Sequence, residues 1–285
     1  MTRWRDPRWA GVDVPAQCVS QLRCSMPDAT DEQKQHATEL YARTVWRTLR
    51  MWRQVASLQE YMRHESPAVR GGLFSAAQQV LSEIVSRPDY GTPEQAEAAA
   101  RTIPSYAAAA TDGIIKDAVA TAEAACFVFA HSMLDAAVDD YCEVSSILCP
   151  TDWEEAVADD TITLAEARNP CAVDEQLKNA IKKHIRRLCR QSLPNRIETL
   201  QAVCKPGSSE ILKDYRYDRE RISRLDRFRH MIVHEDALGS SIGNGENMSG
   251  EFEFIERTSI YLANLISHRY GLVVGPDVTN ELSKD

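Results

Sequence analysis

Apolar residues recur at helical spacing along almost the whole chain, and the strict apolar–polar alternation of a half-buried strand is scarce. That one periodicity confines the chain to an all-α architecture, because helices with one apolar stripe each must bury those stripes against one another. The spacing predicts a long helix over 31–64, with Leu40, Tyr41, Val45, Leu49, Trp52 and Ala56 as its stripe, and a shorter one over 68–87 ended by Pro88. "GTPEQAEAAAR" starts another helix, with Thr92 as cap and Pro93 in the first turn. An alanine-rich helix is expected over 112–148, stopped by Pro150. "TLAE" at 163–166 reads as a capping box on a small helix. Helices over 174–191, on to Cys204, over 210–237 and over 252–270 complete the series. Residues 1–28 and the Gly-rich stretch 239–250 are expected to be irregular. The organisation expected is an accessory N-terminal helical region, 1–104, an up-and-down helical bundle, 105–275, and a tail, 276–285.

Charge and cysteine placement narrow the function classes. The net charge of -9 argues against a chain that coats nucleic acid with its whole surface, while leaving room for a local basic groove. None of the eight cysteines forms a C-x-x-C pair, so neither a zinc knuckle nor a dithiol redox motif is supported, and free thiols in a reducing cytoplasm are expected. "MTRWRDPRWAG" is basic and tryptophan-rich, without the apolar core of a secretory leader. The most apolar stretch, 118–138, carries Glu123, His131 and Asp135, which a bilayer span would reject, so no membrane partner is expected.

The chemistry concentrates in "DRFRHMIVHEDAL", residues 226–238, which holds two of the seven histidines. On a helix, Ile222, Leu225, Phe228 and Ile232 point to one side, toward a core, while Asp226, His230 and His234 follow one another at i,i+4 on another. Arg229 and His234 are five residues apart, about 140° around the axis, and do not share a face. Four readings fit these residues. The segment is a solvated helix edge, or the H-x3-H pair grips a zinc ion. Against zinc, the Glu of H-E-x-x-H is missing and no third ligand is evident beyond Glu235 or Asp236. Or imidazole and guanidinium perform acid–base chemistry on an RNA phosphodiester, whose own 2′-OH is the nucleophile. Or the same groups bind a nucleotide without cleaving it.

The segment "RHMIVH" resembles the R-x4-6-H signature of the HEPN superfamily (higher eukaryotes and prokaryotes nucleotide-binding domains), with His230 in place of the polar residue, most often Asn, that commonly follows the Arg. The likeness extends over roughly 105–275: an apolar helix with an internal acid ("FVFAHSMLDAAVDDY"), a basic helix, the motif helix with Asp226 before Arg229, a polar loop and a closing apolar helix. Arg224-x5-His230 and Arg227-x6-His234 also satisfy the bare signature, but only Arg229 and His234 satisfy the fuller R-polar-x3-H form. The resemblance implies a cytoplasmic, metal- and cofactor-independent endoribonuclease. Its cleft would form where the motif helices of a homodimer meet, in a toxin or antiviral-defence setting with a possible partner protein. It implies Arg229 and His234 as catalytic, assisted by His230 and Asp226. Non-catalytic HEPN interaction modules are the alternative. Asp236 stands where nucleotidyltransferase-silenced HEPN toxins carry a tyrosine, which removes that mode of control.

From Gln176 to Ile197 the chain has seven Lys or Arg and no acid, among them Lys182, Lys183, Arg186, Arg187, Arg190 and Arg196. Residues 216–229 add six Arg, including Arg227, against three acids. Such runs are solvated helix faces or tracks for RNA phosphates. Trp4 and Trp9, set among Arg3, Arg5 and Arg8, stack bases or pack the terminus onto its own domain. Asp135 and Asp139, one turn apart, are either paired carboxylates or, for Asp135, an ion-pair partner of Arg229.

Overall fold

The computed structural model describes residues 29–63, 67–158, 173–205, 215–234 and 248–273, and among them every regular element is helical. In chain order these are α1 (Asp31–Arg63), α2 (Pro67–Val85), α3 (Pro93–Leu148), a 3-10 turn (Pro150–Trp153) leading into α4 (Glu154–Val157), α5 (Val173–Leu188), α6 (Leu193–Cys204), α7 (Arg219–His234) and α8 (Met248–Tyr270). The class is all-α. No helix among the described residues is long and apolar enough to cross a membrane.

Two helix starts use the same device. Thr30 and Gln33 at α1, and Thr92 and Gln95 at α3, exchange hydrogen bonds: each Gln side chain accepts from the Thr amide at 3.0 Å, and each Thr hydroxyl accepts from the Gln amide at 3.3 Å. These reciprocal bonds satisfy amides that the first turn leaves without a carbonyl. At the far end, Gly271 turns with φ +65 so that the Leu272 amide reaches the Ser267 carbonyl at 3.2 Å, closing α8.

α3 differs from the expectation. Thr92 does start a helix, but it is the same helix that ends before Pro150, so the two elements expected from 93 and from 112 are one rod of 56 residues with Pro104 inside it. Proline removes one ladder bond, and position 104 is exposed, so water can serve the freed carbonyl. Its cost is spread over an alanine-rich helix. Residues 104 and 105, where the sequence reading divides accessory region from bundle, both lie inside this rod. The motif helix starts at Arg219 and the residues 215–218 before it are not helical, so it is not one helix from 210, while 206–214 and 235–247 lie outside the described residues; α8 begins at Met248, four residues before 252. Residues 1–28, 159–172 with "TLAE", 235–247 and the tail lie outside the described residues.

The chain divides into two compact units, and α1, α3 and α7 contribute to both. The larger unit takes residues up to Trp52, Ala130–Arg229 and Ser249 onward. Its core contains Phe-free stretches of α1 (Tyr41, Val45, Met51, Trp52), the α3 residues Leu134, Val138, Tyr141 and Val144, Trp153, and Ile255, Leu262 and Ile266 of α8. The N-terminal helix is therefore not an accessory to this core. The Tyr41 hydroxyl donates to the Ala263 carbonyl at 3.1 Å, and the Thr44 hydroxyl and the Arg47 guanidinium reach Asp140 at 2.7 and 2.6 Å. Within the expected stripe Tyr41, Val45 and Trp52 are buried, Leu40 and Leu49 are half-buried and Ala56 is exposed. Ala37, Thr44 and Thr48 complete the buried face in its place. The threonines pass there because their hydroxyls bond back to the carbonyls of Leu40 and Thr44. The smaller unit takes Arg53–Phe129 and His230–Met248. In it α2 and the first half of α3 form an antiparallel hairpin, pinned by Arg70 on Asp112 at 2.7 Å.

Candidate functional site

α7 forms a helix because Ile222, Leu225 and Ile232 supply a buried stripe, with Phe228 half-buried beside them, as the spacing predicts. Asp218 caps it by accepting from the Arg221 amide at 2.8 Å. The rest of the helix is arginine-rich, and the structure sorts those arginines into two groups. Arg219 pairs with Glu198 and donates to Asn195 at 2.7 Å. Arg221 pairs with Glu251 at 3.0 Å, donates to the Gly250 carbonyl and lies 4.2 Å over the Phe254 ring. Arg224 reaches the same Glu251 at 3.2 Å. Among the described residues Arg227 bonds only to the Ser223 carbonyl, 3.4 Å away. Arg229, half-buried, has neither an ion pair nor a hydrogen bond among the described residues, and its Nε is fully shielded from solvent. A guanidinium without an acid is a donor set open to an incoming anion.

His230 and His234 are exposed and stand side by side, ring centroids 4.6 Å apart at 45°. The arrangement follows from their i,i+4 spacing. Among the described residues no group of three His, Cys, Asp or Glu side chains could hold a metal ion. Glu235 and Asp236 lie outside them.

Asp226 is engaged away from the histidine pair. Its Oδ1 lies 3.0 Å from Nε2 of His131, a residue of α3 only 1% exposed, and its Oδ2 accepts from the Leu193 amide at 3.3 Å. Asp226 thus fastens α7 to α3 and to the start of α6. The resemblance implies that Asp226 assists Arg229 and His234, and in the structure both of its carboxylate oxygens are held by α3 and the start of α6. Burial alone would raise the Asp226 carboxyl, but the His131 contact, the Leu193 amide and the charge of Arg196 together hold it below the usual carboxylate range. A depressed native pKa means stability that is full above the unfolded value of about 3.9 and is lost as pH falls through the native one. Asp226→Asn is therefore expected to cost about 1–3 kcal/mol at neutral pH. Chemical denaturation of both proteins checks this, and the gap should close in acid; a gap independent of pH would contradict the part assigned to the carboxylate charge.

Arg196 is the second departure. It belongs to the acid-free basic run, yet it is buried on α6 with its two terminal nitrogens on Asp135 and Asp139, the latter at 2.6 Å. Asp135 is thus the partner of Arg196 and not of Arg229. The neighbouring carboxylates more than offset the burial that would lower the guanidinium, so Arg196 stays charged. No sequence signal separates Arg196 from Arg190, because only the fold places one beside two acids.

The remaining basic residues stay outside. α5 buries Ile181 and Leu188 and sets His184 against Trp153, ring centroids 6.3 Å apart. Lys182, Lys183, Arg186 and Arg187 on α5, and Arg190 in the turn after it, are exposed. Among the described residues Lys182, Lys183, Arg186 and Arg190 have no acidic partner. Arg227 is exposed on α7. Among the buried thiols, Cys142 is pushed far up by desolvation and Cys204 up to about 12, which leaves both inert as nucleophiles.

Comparisons of the chain with protein-family models, with curated proteins and with solved structures find no match.

Proposed function

We propose that the chain is a metal-independent endoribonuclease of the HEPN type, working in the cytoplasm as a homodimer and serving as a toxin or antiviral-defence effector. The observation that carries this reading is the sorting of arginines on α7. Arg219, Arg221 and Arg224 are spent on acids, while Arg229 has no acidic partner among the described residues and His230 and His234 stand exposed on the same helix. The same sorting favours Arg229 over Arg224 as the signature arginine. The exposed α5 cations and Arg227 suit the phosphates of an RNA strand.

In the reaction the RNA 2′-oxygen attacks the adjacent phosphorus and gives its proton to His234. The phosphorus–O5′ bond breaks, and the leaving oxygen takes a proton from an imidazolium. Arg229 steadies the charge that builds on the phosphoryl oxygens, and His230 positions the phosphate or assists the proton transfer. Arg229 and His234 diverge by about 140° on one helix, so each site draws one of them from each protomer.

Incubation of the purified protein with RNA should yield 2′,3′-cyclic phosphate and 5′-hydroxyl ends, and EDTA should leave the rate unchanged. RNA carrying a 2′-O-methyl group at the cut site should resist. Cleavage of that blocked RNA, or loss in EDTA restored by zinc, would falsify the mechanism. RNA binding that depends on Arg229 without any cleavage would instead support a non-catalytic nucleotide-binding module.

A further inference from the structure

The smaller unit exposes apolar surface out of proportion to its size. Among the described residues eleven large hydrophobic side chains are exposed, and ten of them, all but Val273, belong to this unit. α2 has no buried residue at all. Its half-buried positions Leu73, Phe74, Ala77, Leu81 and Val85 mark the seam against α3, yet Val69, Ala76, Val80 and Ile84 form a second apolar stripe, exposed, roughly 100° around the helix from that seam. On α3 the seam runs through the buried Ile103, Ala107 and Thr111, and the exposed Tyr106 stands off it by a similar angle in the same rotational sense. In an antiparallel pair of right-handed helices, equal rotations out of the seam emerge on one side. The stripe of α2 and Tyr106 therefore share one face of the hairpin.

We propose that this face is a self-association surface, on which the α2–α3 hairpin docks against the same hairpin of a second copy of this chain. Charge argues for a copy of itself. A chain of net charge -9 repels its own kind, but residues 71–82 of α2 and 102–111 of α3 contain no Asp, Glu, Lys or Arg, and Arg70 is already neutralised by Asp112. On the stripe itself the only charge is Glu83, exposed at its outer edge, so two such faces meet with like charge confined to the rim. The area also fits. A homodimer interface takes about 800 Å² from each partner, about 65% of it apolar. Val69, Val80, Ile84 and Tyr106 are between 37% and 65% exposed. At ~200 Å² per tyrosine and ~100 Å² per aliphatic side chain they offer on the order of 300 Å², before the exposed alanines between them are counted. Pairing two hairpins about a two-fold axis completes a four-helix arrangement, the smallest packing that closes such stripes. The inference does not depend on the ribonuclease reading.

Light scattering on the full chain at micromolar concentration tests it. The wild type should run at twice the 32.0 kDa chain mass or above, and Val80→Glu combined with Tyr106→Glu should at least halve that mass with unchanged helix content. A monomeric wild type overturns the proposal, and so does a mass that the double substitution leaves unchanged, since another surface, such as that of α7, then holds the assembly. If the double variant loses helix content, a photo-crosslinking residue at position 106 decides the matter. Crosslinks from there to α2 of a second chain support the proposal. Crosslinks only within one chain, to residues 1–28 or elsewhere, overturn it.

Discussion

Alanine at position 234 is expected to lower RNA cleavage by about 10²–10⁴-fold, the usual loss on removing a general acid–base group. Alanine at 229 is expected to cost about 10²–10³-fold, as for the loss of an oxyanion-stabilising donor. Both should leave the fold intact: His234 is an exposed residue at the end of α7, and Arg229 has no ion pair among the described residues to lose. The informative control is Arg224→Ala. Arg224 shares Glu251 with Arg221, so its removal should act on stability and leave the rate within a few fold. Initial rates on a defined RNA, with circular dichroism on each variant, separate these outcomes. If Arg224→Ala silences cleavage and Arg229→Ala does not, the site belongs to Arg224 and His230. His230→Ala should be milder than His234→Ala. Slower growth on induction of the wild type, relieved by His234→Ala, would tie the activity to a toxic effect in the cell.

Arg196→Ala is expected to produce the largest loss of stability. It leaves Asp135 and Asp139, one turn apart on α3, facing each other without the cation that joins them. Removing one partner of a buried ion pair costs about 3–5 kcal/mol. The two carboxylates keep 33% and 37% of their side chains exposed, which places the loss near the lower figure. At ~2–4 °C per kcal/mol in a chain of this size, Tm should fall by roughly 6–12 °C. Replacing both acids with leucine alongside Arg196→Met should recover most of the loss, because an apolar set removes the uncompensated charge. A Tm unchanged by Arg196→Ala would mean that the triad contributes nothing. Since Arg196 does not belong to the exposed basic surface, its removal should not alter the salt dependence of RNA binding, whereas removing Lys182 and Lys183 should reduce it.

Much of the fold was legible because helix starts and core stripes are local properties. Thr92 with Gln95 specifies a helix start whatever packs nearby, and Ile222, Leu225 and Ile232 repeat at the helical period. The helices expected from 93 and from 112 are one rod, because the cost of Pro104 is local and the alanine-rich helix around it is long enough to absorb that cost. The accessory role expected for α1 failed for a different reason. Its stripe mixes Ala37, Thr44 and Thr48 with Tyr41 and Trp52, and hydropathy does not count a threonine as core until its hydroxyl has a carbonyl to bond.

The candidate site divides along the same line. Sequence by itself determined that α7 is a helix, that His230 and His234 are neighbours one turn apart, and that Arg229 and His234 diverge on it, since helical geometry alone sets those relations. Which arginines are free was decided only by tertiary structure. Arg196 and Arg229 are alike as residues, and each lies in a basic run, yet one meets Asp135 and Asp139 from α3 and the other meets no acid among the described residues. The same holds for Asp226, whose partner His131 lies 95 positions away in sequence. Ion pairing depends on distances of a few ångströms between groups brought together by burial of the apolar stripes, and those distances do not exist until the helices have packed.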